Sequence, residues 1–251
     1  MPYSLFRQTR ACHRGHGHTH THTHGGGSDD RKIQIERRIL DENEQLAGDN
    51  RRHFAAHGVF VLNMMSSPGS GKTTLLENTL NRLAPDTQCA VIVGDICTTY
   101  DADRLAASGM PVIQVNTDQF GGDCHLTAPL IAQAAARFNL DDLDLLIVEN
   151  VGNLVCPAEF DLGEDARVVV LSTTEGEDKP IKYPLMFRQC DLALVNKIDL
   201  LPYLDFDLEL ARNNIRQVHP DMPIQNLSAR TGEGLDQWIA WIRDKISARQ
   251  P

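Results

Sequence analysis

From residue 59 onward, short apolar runs rich in β-branched side chains alternate with stretches of helical spacing. The runs are Val59–Met65, Cys89–Val93, Val112–Val115, Leu145–Val148, Val168–Leu171, Leu192–Val195 and Ile224–Leu227. Each is apolar throughout rather than alternating, as strands covered on both faces require. The intervening helices are predicted to begin near Lys72, Ala102, Leu126, Pro180 and Leu208, with a closing helix near Gly234. Strand–helix alternation of this kind predicts an α/β domain over residues 58–251: three layers, a mostly parallel central sheet flanked by helices, with ligands at the strands' C-terminal ends. Before it, Ile33, Ile35, Ile39, Leu40, Leu46 and Phe54 are spaced among charges as in an amphipathic helix over residues 30–57, with a break expected near Gly48. Residues 1–29 hold few large apolar groups and are predicted to be a disordered tail.

Composition narrows the function class. The chain has 251 residues, 41% of them hydrophobic, enough for a sizeable core. A formal net charge of −10 disfavours a nucleic-acid surface, which needs Lys and Arg to displace counterions. No apolar run approaches the roughly 20 residues that span a bilayer, and no secretory signal is evident, so a cytoplasmic protein without membrane contact is expected. Six cysteines in a chain of this length do not form a disulfide framework, and reduced, packed thiols are the expectation.

The first strand runs into Ser66-Ser67-Pro68-Gly69-Ser70-Gly71-Lys72-Thr73, which opens a helix. This is the context of a phosphate-binding loop. Small residues Pro68, Gly69, Ser70 and Gly71 let backbone N–H groups face phosphates, Lys72 reaches the terminal phosphates, Thr73 can ligate Mg²⁺, and Thr74 continues the loop into the helix. The usual first glycine of the pattern is replaced by Ser66. After the sixth run stands Asn196-Lys197-Ile198-Asp199. The Asp199 carboxylate can accept both edge donors of guanine, whereas adenine offers a mismatched edge. Asn196 can tie this loop to the phosphate loop, Lys197 can lay its stem along the base, and Ser228-Ala229 can offer backbone N–H to the guanine carbonyl. GTP or GDP is therefore the expected nucleotide. Asp95 and Glu149 end strands where acids hold Mg²⁺ or position water, so Lys72, Thr73, Asp95 and Glu149 form the candidate catalytic set. A helix cap or solvated loop would explain Asp95 without metal, and neither acid is singled out as the base.

Cysteine and histidine add a second theme. Cys124-His125 precedes a predicted helix and Cys156 follows a strand end on the same sheet edge. Thiolate and imidazole suit Ni²⁺, Zn²⁺ or Cu, not the oxygen-seeking Mg²⁺. On residue chemistry alone, packed thiols and a capping histidine are the simpler reading of these three. In the tail, His16, His18, His20, His22 and His24 alternate with other residues and can converge on exchangeable nickel.

These residues resemble the nickel-incorporation GTPases of hydrogenase maturation, the HypB family of P-loop NTPases in the SIMIBI class. The resemblance runs from about Arg31 to Trp241. It rests on Asn63–Thr73, Cys124-His125-Leu126, Glu149–Pro157, Thr174-Glu175-Gly176-Glu177-Asp178-Lys179-Pro180 and Asn196–Pro202. It implies GTP hydrolysis coupled to nickel delivery into the [NiFe]-hydrogenase large subunit, the small metallochaperone HypA as partner, and GTP-dependent homodimerisation. It also makes Cys124, His125 and Cys156 nickel or zinc ligands at a dimer interface. Three features depart from the family pattern. The Cys-x-x-Cys-Gly-Cys segment of many relatives has no counterpart around Cys12, residues 118–123 look longer than the family's usual turn, and Thr127 stands where Asp is expected. Two other readings compete: a urease-type nickel GTPase, which typically carries Cys-Pro-His, and a nickel storage or sensing protein with a structural nucleotide site. The adjacency of Cys124 and His125 opposes the first, and intact Lys72, Thr73 and Asp199 oppose the second.

Overall fold

A computed structural model describes residues 26–95, 100–117 and 125–249, with the backbone alone for residues 26–36, 100 and 103. The chain divides into residues 1–37 and 38–251. Helix α1 (Gly26–Ala56) is continuous. It begins within the stretch assigned to the tail and passes through Gly48 without the expected break; Gly48 keeps a negative φ and a Cβ there would meet nothing nearer than Arg52 at 3.6 Å. A lone glycine costs a helix only about 1 kcal/mol, which the packed flanks of Ala47 and Asn50 offset.

Seven strands follow: β1 (Phe60–Ser66), β2 (Cys89–Asp95), β3 (Val112–Asn116), β4 (Leu145–Glu149), β5 (Ala166–Ser172), β6 (Leu192–Asn196) and β7 (Ile224–Asn226). They form one sheet in the order β3-β2-β4-β1-β5-β6-β7, every pairing parallel. The helices are α2 (Lys72–Leu83), α3 (Tyr100–Ala106), α4 (Ala128–Ala135), α5 (Lys179–Lys182), α6 (Pro184–Arg188), α7 (Leu208–Val218) and α8 (Leu235–Arg249). The predicted α/β class and all seven strand positions agree with this architecture.

The pleat explains why the strands read as unbroken apolar runs. Phe60, Leu62 and Met64 of β1 pack with Leu75, Leu80 and Trp238 of α2 and α8, while Val61 joins Phe54, Leu130 and Ile131 of α1 and α4 on the other face. A third cluster sets Met65, Val169 and Val195 against Phe187 and Ile215 of α6 and α7. Both faces are therefore buried. Connections toward β3 and toward β7 lie on opposite faces, so the chain changes direction at the neighbouring strands β1 and β4, and their C-terminal ends form the crevice where such sheets bind ligands.

Candidate functional site

The turn from β1 into α2 forms the floor of this crevice. Gly69 and Gly71 have φ of 74° and 94°, and a Cβ on Gly71 would stand 2.7 Å from Asn196 Nδ2, so left-handed backbone and close approach both demand glycine there. Lys72 is buried, and its ammonium donates to Ser66 Oγ at 2.7 Å. Ser66 Oγ also accepts from Ser70 Oγ at 2.6 Å and donates to the Ser67 carbonyl at 2.7 Å. The serine that replaces the usual glycine thus serves as internal partner for the lysine. Burial lowers the Lys72 pKa, with Glu149 opposing the shift.

Thr73 Oγ1 donates to Glu149 Oε1 at 2.9 Å. Glu149 is almost fully buried, and burial pushes its carboxyl up to about 7 against the pull of Lys72 and the Thr73 hydrogen bond. Its Oε2 is buried with no hydrogen-bond partner among the described residues. An orphaned carboxylate oxygen beside a hydroxyl is a donor set suited to a hard cation such as Mg²⁺. The loop, Asp95 and Glu149 line one cavity of about 560 Å³, together with Gly94, Asp101, Arg104, Asn150, Val151, Gly152 and Lys197. Gly152 lies against the loop's far wall, where a Cβ would be 3.0 Å from Pro68 Cα.

The loop after β6 is tied to this floor. Asn196 Nδ2 donates to the Ser70 carbonyl at 2.9 Å, and its Oδ1 accepts from Lys197 N at 2.8 Å and Ala229 N at 3.0 Å. Lys197, with φ 65°, directs its ammonium to the Gly69 carbonyl at 2.7 Å. Asp199 Oδ1 accepts from Ser228 Oγ at 2.6 Å. The structure therefore joins Asn196, Lys197, Asp199, Ser228 and Ala229 into one loop pair; of these, only Lys197 reaches the 560 Å³ cavity.

The metal candidates are assembled less completely. Cys124 and the tail residues His16, His18, His20, His22 and His24 lie outside the described residues. His125 stacks on Phe160 with ring centroids 3.9 Å apart, which places it beside the loop whose short 3₁₀ turn, Cys156–Ala158, starts at Cys156. Cys156 is partly exposed, whereas Cys89 and Cys190 are buried. Among the described residues, no group of three or more His, Cys, Asp and Glu is gathered so as to hold a metal ion. Burial pushes the Cys89 thiol up to about 12 and raises that of Cys190, so both remain thiols, as expected of packed cysteines.

Arg104 and Asp101 escaped the sequence reading, and Glu175 entered it only as part of the stretch Thr174–Pro180. Arg104 lines the cavity and donates to Thr74 Oγ1 at 3.1 Å and to Glu77 Oε2 at 2.5 Å. Glu175 accepts from Ser67 Oγ in the phosphate loop, and burial raises its pKa. Asp101 also faces the cavity. The replaced glycine at position 66 was the available signal for its serine; Arg104 and Asp101 carry no pattern that distinguishes them from solvated helix or loop charges.

Residues 60–226 match the family model described as the CobW/HypB/UreG nucleotide-binding domain. The hydrogenase maturation factor HypB of Escherichia coli (strain K12) is 55% identical over 236 residues, covering 94% of this chain and 80% of that protein. The chain belongs to the HypB family. A probable HypB from Methanocaldococcus jannaschii is 40% identical over 214 residues, covering 85% of this chain and 96% of that one. Among solved structures, HypB from Helicobacter pylori in complex with nickel superposes with a TM-score of 0.78 at 36% identity, covering 82% of this chain and 96% of that chain. HypB from Archaeoglobus fulgidus does so with a TM-score of 0.76, also at 36% identity, covering 82% and 99%. Membership in this family makes the domain a nucleotide-binding GTPase domain. No helix among the described residues is long and apolar enough to cross a membrane.

Proposed function

We propose that this chain hydrolyses GTP and uses the nucleotide cycle to assist nickel insertion into the [NiFe]-hydrogenase large subunit during maturation. The observation that carries the nucleotide half is Asn196, whose one side chain bonds the phosphate loop at Ser70 and the base loop at Ala229. Phosphate and base positions are thereby held in one register before any ligand arrives. Bound phosphate oxygens replace Ser66 Oγ as the partner of Lys72, and the exchange is favourable because a buried ammonium gains an anion in place of a neutral hydroxyl. Asp199, oriented by Ser228, accepts the N1–H and the exocyclic amine of guanine; ATP leaves that carboxylate facing a mismatched edge. Thr73 and Glu149 are the residues suited to hold Mg²⁺, which when bound neutralises charge developing on the phosphates. Asp95 lines the same cavity, and in this reading it positions a water beside the terminal phosphate or holds Mg²⁺.

Nickel is cargo in this reading. His125, Cys156 and Cys124 are its proposed ligands on the folded domain, with zinc as an alternative occupant and the tail histidines as a looser nickel pool. Three ligands leave a coordination position that a second copy of the chain, associating when GTP is bound, would complete or exclude. HypA as nickel donor and the hydrogenase large subunit as recipient are proposed partners; the net charge of −10 fits protein partners and no nucleic acid. Single-turnover GTP hydrolysis by the wild type and Lys72→Ala tests the reading. A loss of about 10²–10³-fold is expected on removing the charge that meets the terminal phosphates, and equal rates would sink the GTPase assignment.

A further inference from the structure

The segment that carries His125 is pinned from two sides. On the cavity side, the Leu126 backbone N–H donates to Asn150 Oδ1 at 3.3 Å. The Leu126 side chain also lies so close over β2 that a Cβ on Gly94 would stand 2.8 Å from its Cδ1. Gly94 and Asn150 both line the nucleotide cavity. On the other side, Asn43 Oδ1 of α1 accepts from Ala128 N at 2.9 Å, and Asn50 Nδ2 donates to the Ala128 carbonyl at 2.9 Å. Leu126 to Ala128 are therefore suspended between the strand ends of the cavity and helix α1.

Asn150 is placed to transmit motion. It is 1% exposed, and its groups are engaged: Oδ1 accepts from both Leu126 N and Val151 N, Nδ2 donates to Asn63 Oδ1 at 3.3 Å, and its backbone N donates to the Met64 carbonyl at 3.0 Å. It directly follows Glu149, the partner of Thr73. A buried amide with its acceptor capacity used cannot shift without carrying its donors along or leaving one unpaired, at about 1–3 kcal/mol. Asn43 and Asn50, by contrast, hold the same segment without lining the cavity.

We propose that Asn150 is the positioning residue through which the nucleotide sets the His125 segment. Engagement of Thr73 and Glu149 by nucleotide and Mg²⁺ resets the end of β4, and the Asn150–Leu126 hydrogen bond passes that displacement to His125 while α1 holds Ala128 still. Asn150 thereby determines how far nickel affinity differs between nucleotide states. The inference rests on the reading of His125 as a nickel ligand in a GTPase.

The test uses the full-length chain carrying Cys12→Ser. Nickel titrations are read by thiolate-to-nickel charge transfer, to which tail imidazoles do not contribute, with GDP and with a non-hydrolysable GTP analogue plus Mg²⁺. In the otherwise unaltered chain, the two affinities should differ by about 5-fold or more, the lower range of allosteric coupling. Asn150→Ala should bring the ratio to about 1. Asn150→Asp, which keeps the acceptor for Leu126, should restore most of it. Asn43→Ala, which frees the same segment from the α1 side, should keep it. An unchanged ratio in Asn150→Ala overturns the inference and leaves the nickel-GTPase reading standing. Equal affinities in the unaltered chain, or no thiolate signal, sink the reading and the inference together. Should Asn150→Ala fail to fold, amide exchange in the wild type decides: protection at Leu126 must change with nucleotide more than at Ala128, and equal change at both overturns the proposal.

Discussion

Around Lys72 and Asn196, the groups that would meet a nucleotide already satisfy one another, through Ser66, Ser70, Ala229 and the Asp199–Ser228 pair. Around the metal candidates, the His125 ring stacks on Phe160 and Cys156 opens a short 3₁₀ turn. The first region is preorganised, so binding replaces internal partners at little cost in ordering. The second brings His125 and Cys156 to one loop edge, and among the described residues no group of three or more His, Cys, Asp and Glu is gathered so as to hold a metal ion.

That contrast can be broken most severely at Asp199. On the proposed role of this carboxylate as acceptor of two guanine donors, Asp199→Asn should lower GTP turnover relative to wild type by about 10²-fold or more and erase the preference over ATP. Competition between GTP and ATP measures it; retained guanine preference would mean that the Asp199–Ser228 pair is only a loop brace. On the metal side, Cys156→Ala in a chain starting at residue 26 should remove the folded domain's nickel, about one ion per chain or per dimer, as counted by elemental analysis. Unchanged stoichiometry would remove Cys156 from the ligand set.

The smallest effect concerns Glu149. Its carboxyl is raised in the folded protein to about 7 by burial, so the folded state holds this proton more tightly than the unfolded chain does. The resulting stability is fully present below the ordinary carboxylate range and is lost as pH rises through about 7. Glutamine cannot ionise. Without nucleotide, Glu149→Gln should therefore gain on wild type between pH 5 and pH 8, by on the order of 2 kcal/mol or a few degrees in Tm. A melting-temperature difference that stays flat across that range would show that Lys72 compensates the buried charge more fully than burial penalises it.

Much of this was readable from local pattern. The seven runs became the seven strands because strands buried on both faces admit little but apolar side chains, and Lys72 and Leu208 start helices as their flanking residues predict. The phosphate loop was legible because its backbone needs small residues at fixed spacing from Lys72. The unbroken course of α1 through Gly48 was not, since a single glycine's weak penalty is decided by what packs beside it. The contacts of Arg104, Glu175 and Asn150 were equally hidden, although Glu175 and Asn150 stand in segments that carry the family resemblance. Their roles arise from partners 27, 108 and 24 residues away, and no local spacing records such meetings.

The Ser66 substitution shows where the division falls. From the sequence it is a departure that weakens a motif; in the folded chain it is the hydroxyl that receives the Lys72 ammonium. Residue type and spacing by themselves determined the sheet class and the nucleotide-binding character of the domain, and they marked Cys156 and His125 as candidates near one sheet edge. Only tertiary structure decided which buried groups pair, that Glu149 keeps a buried oxygen without a hydrogen-bond partner among the described residues, and that residues 126–128 are held between Asn150 and α1. Burial makes each of those polar contacts obligatory, and burial belongs to the packed chain as a whole.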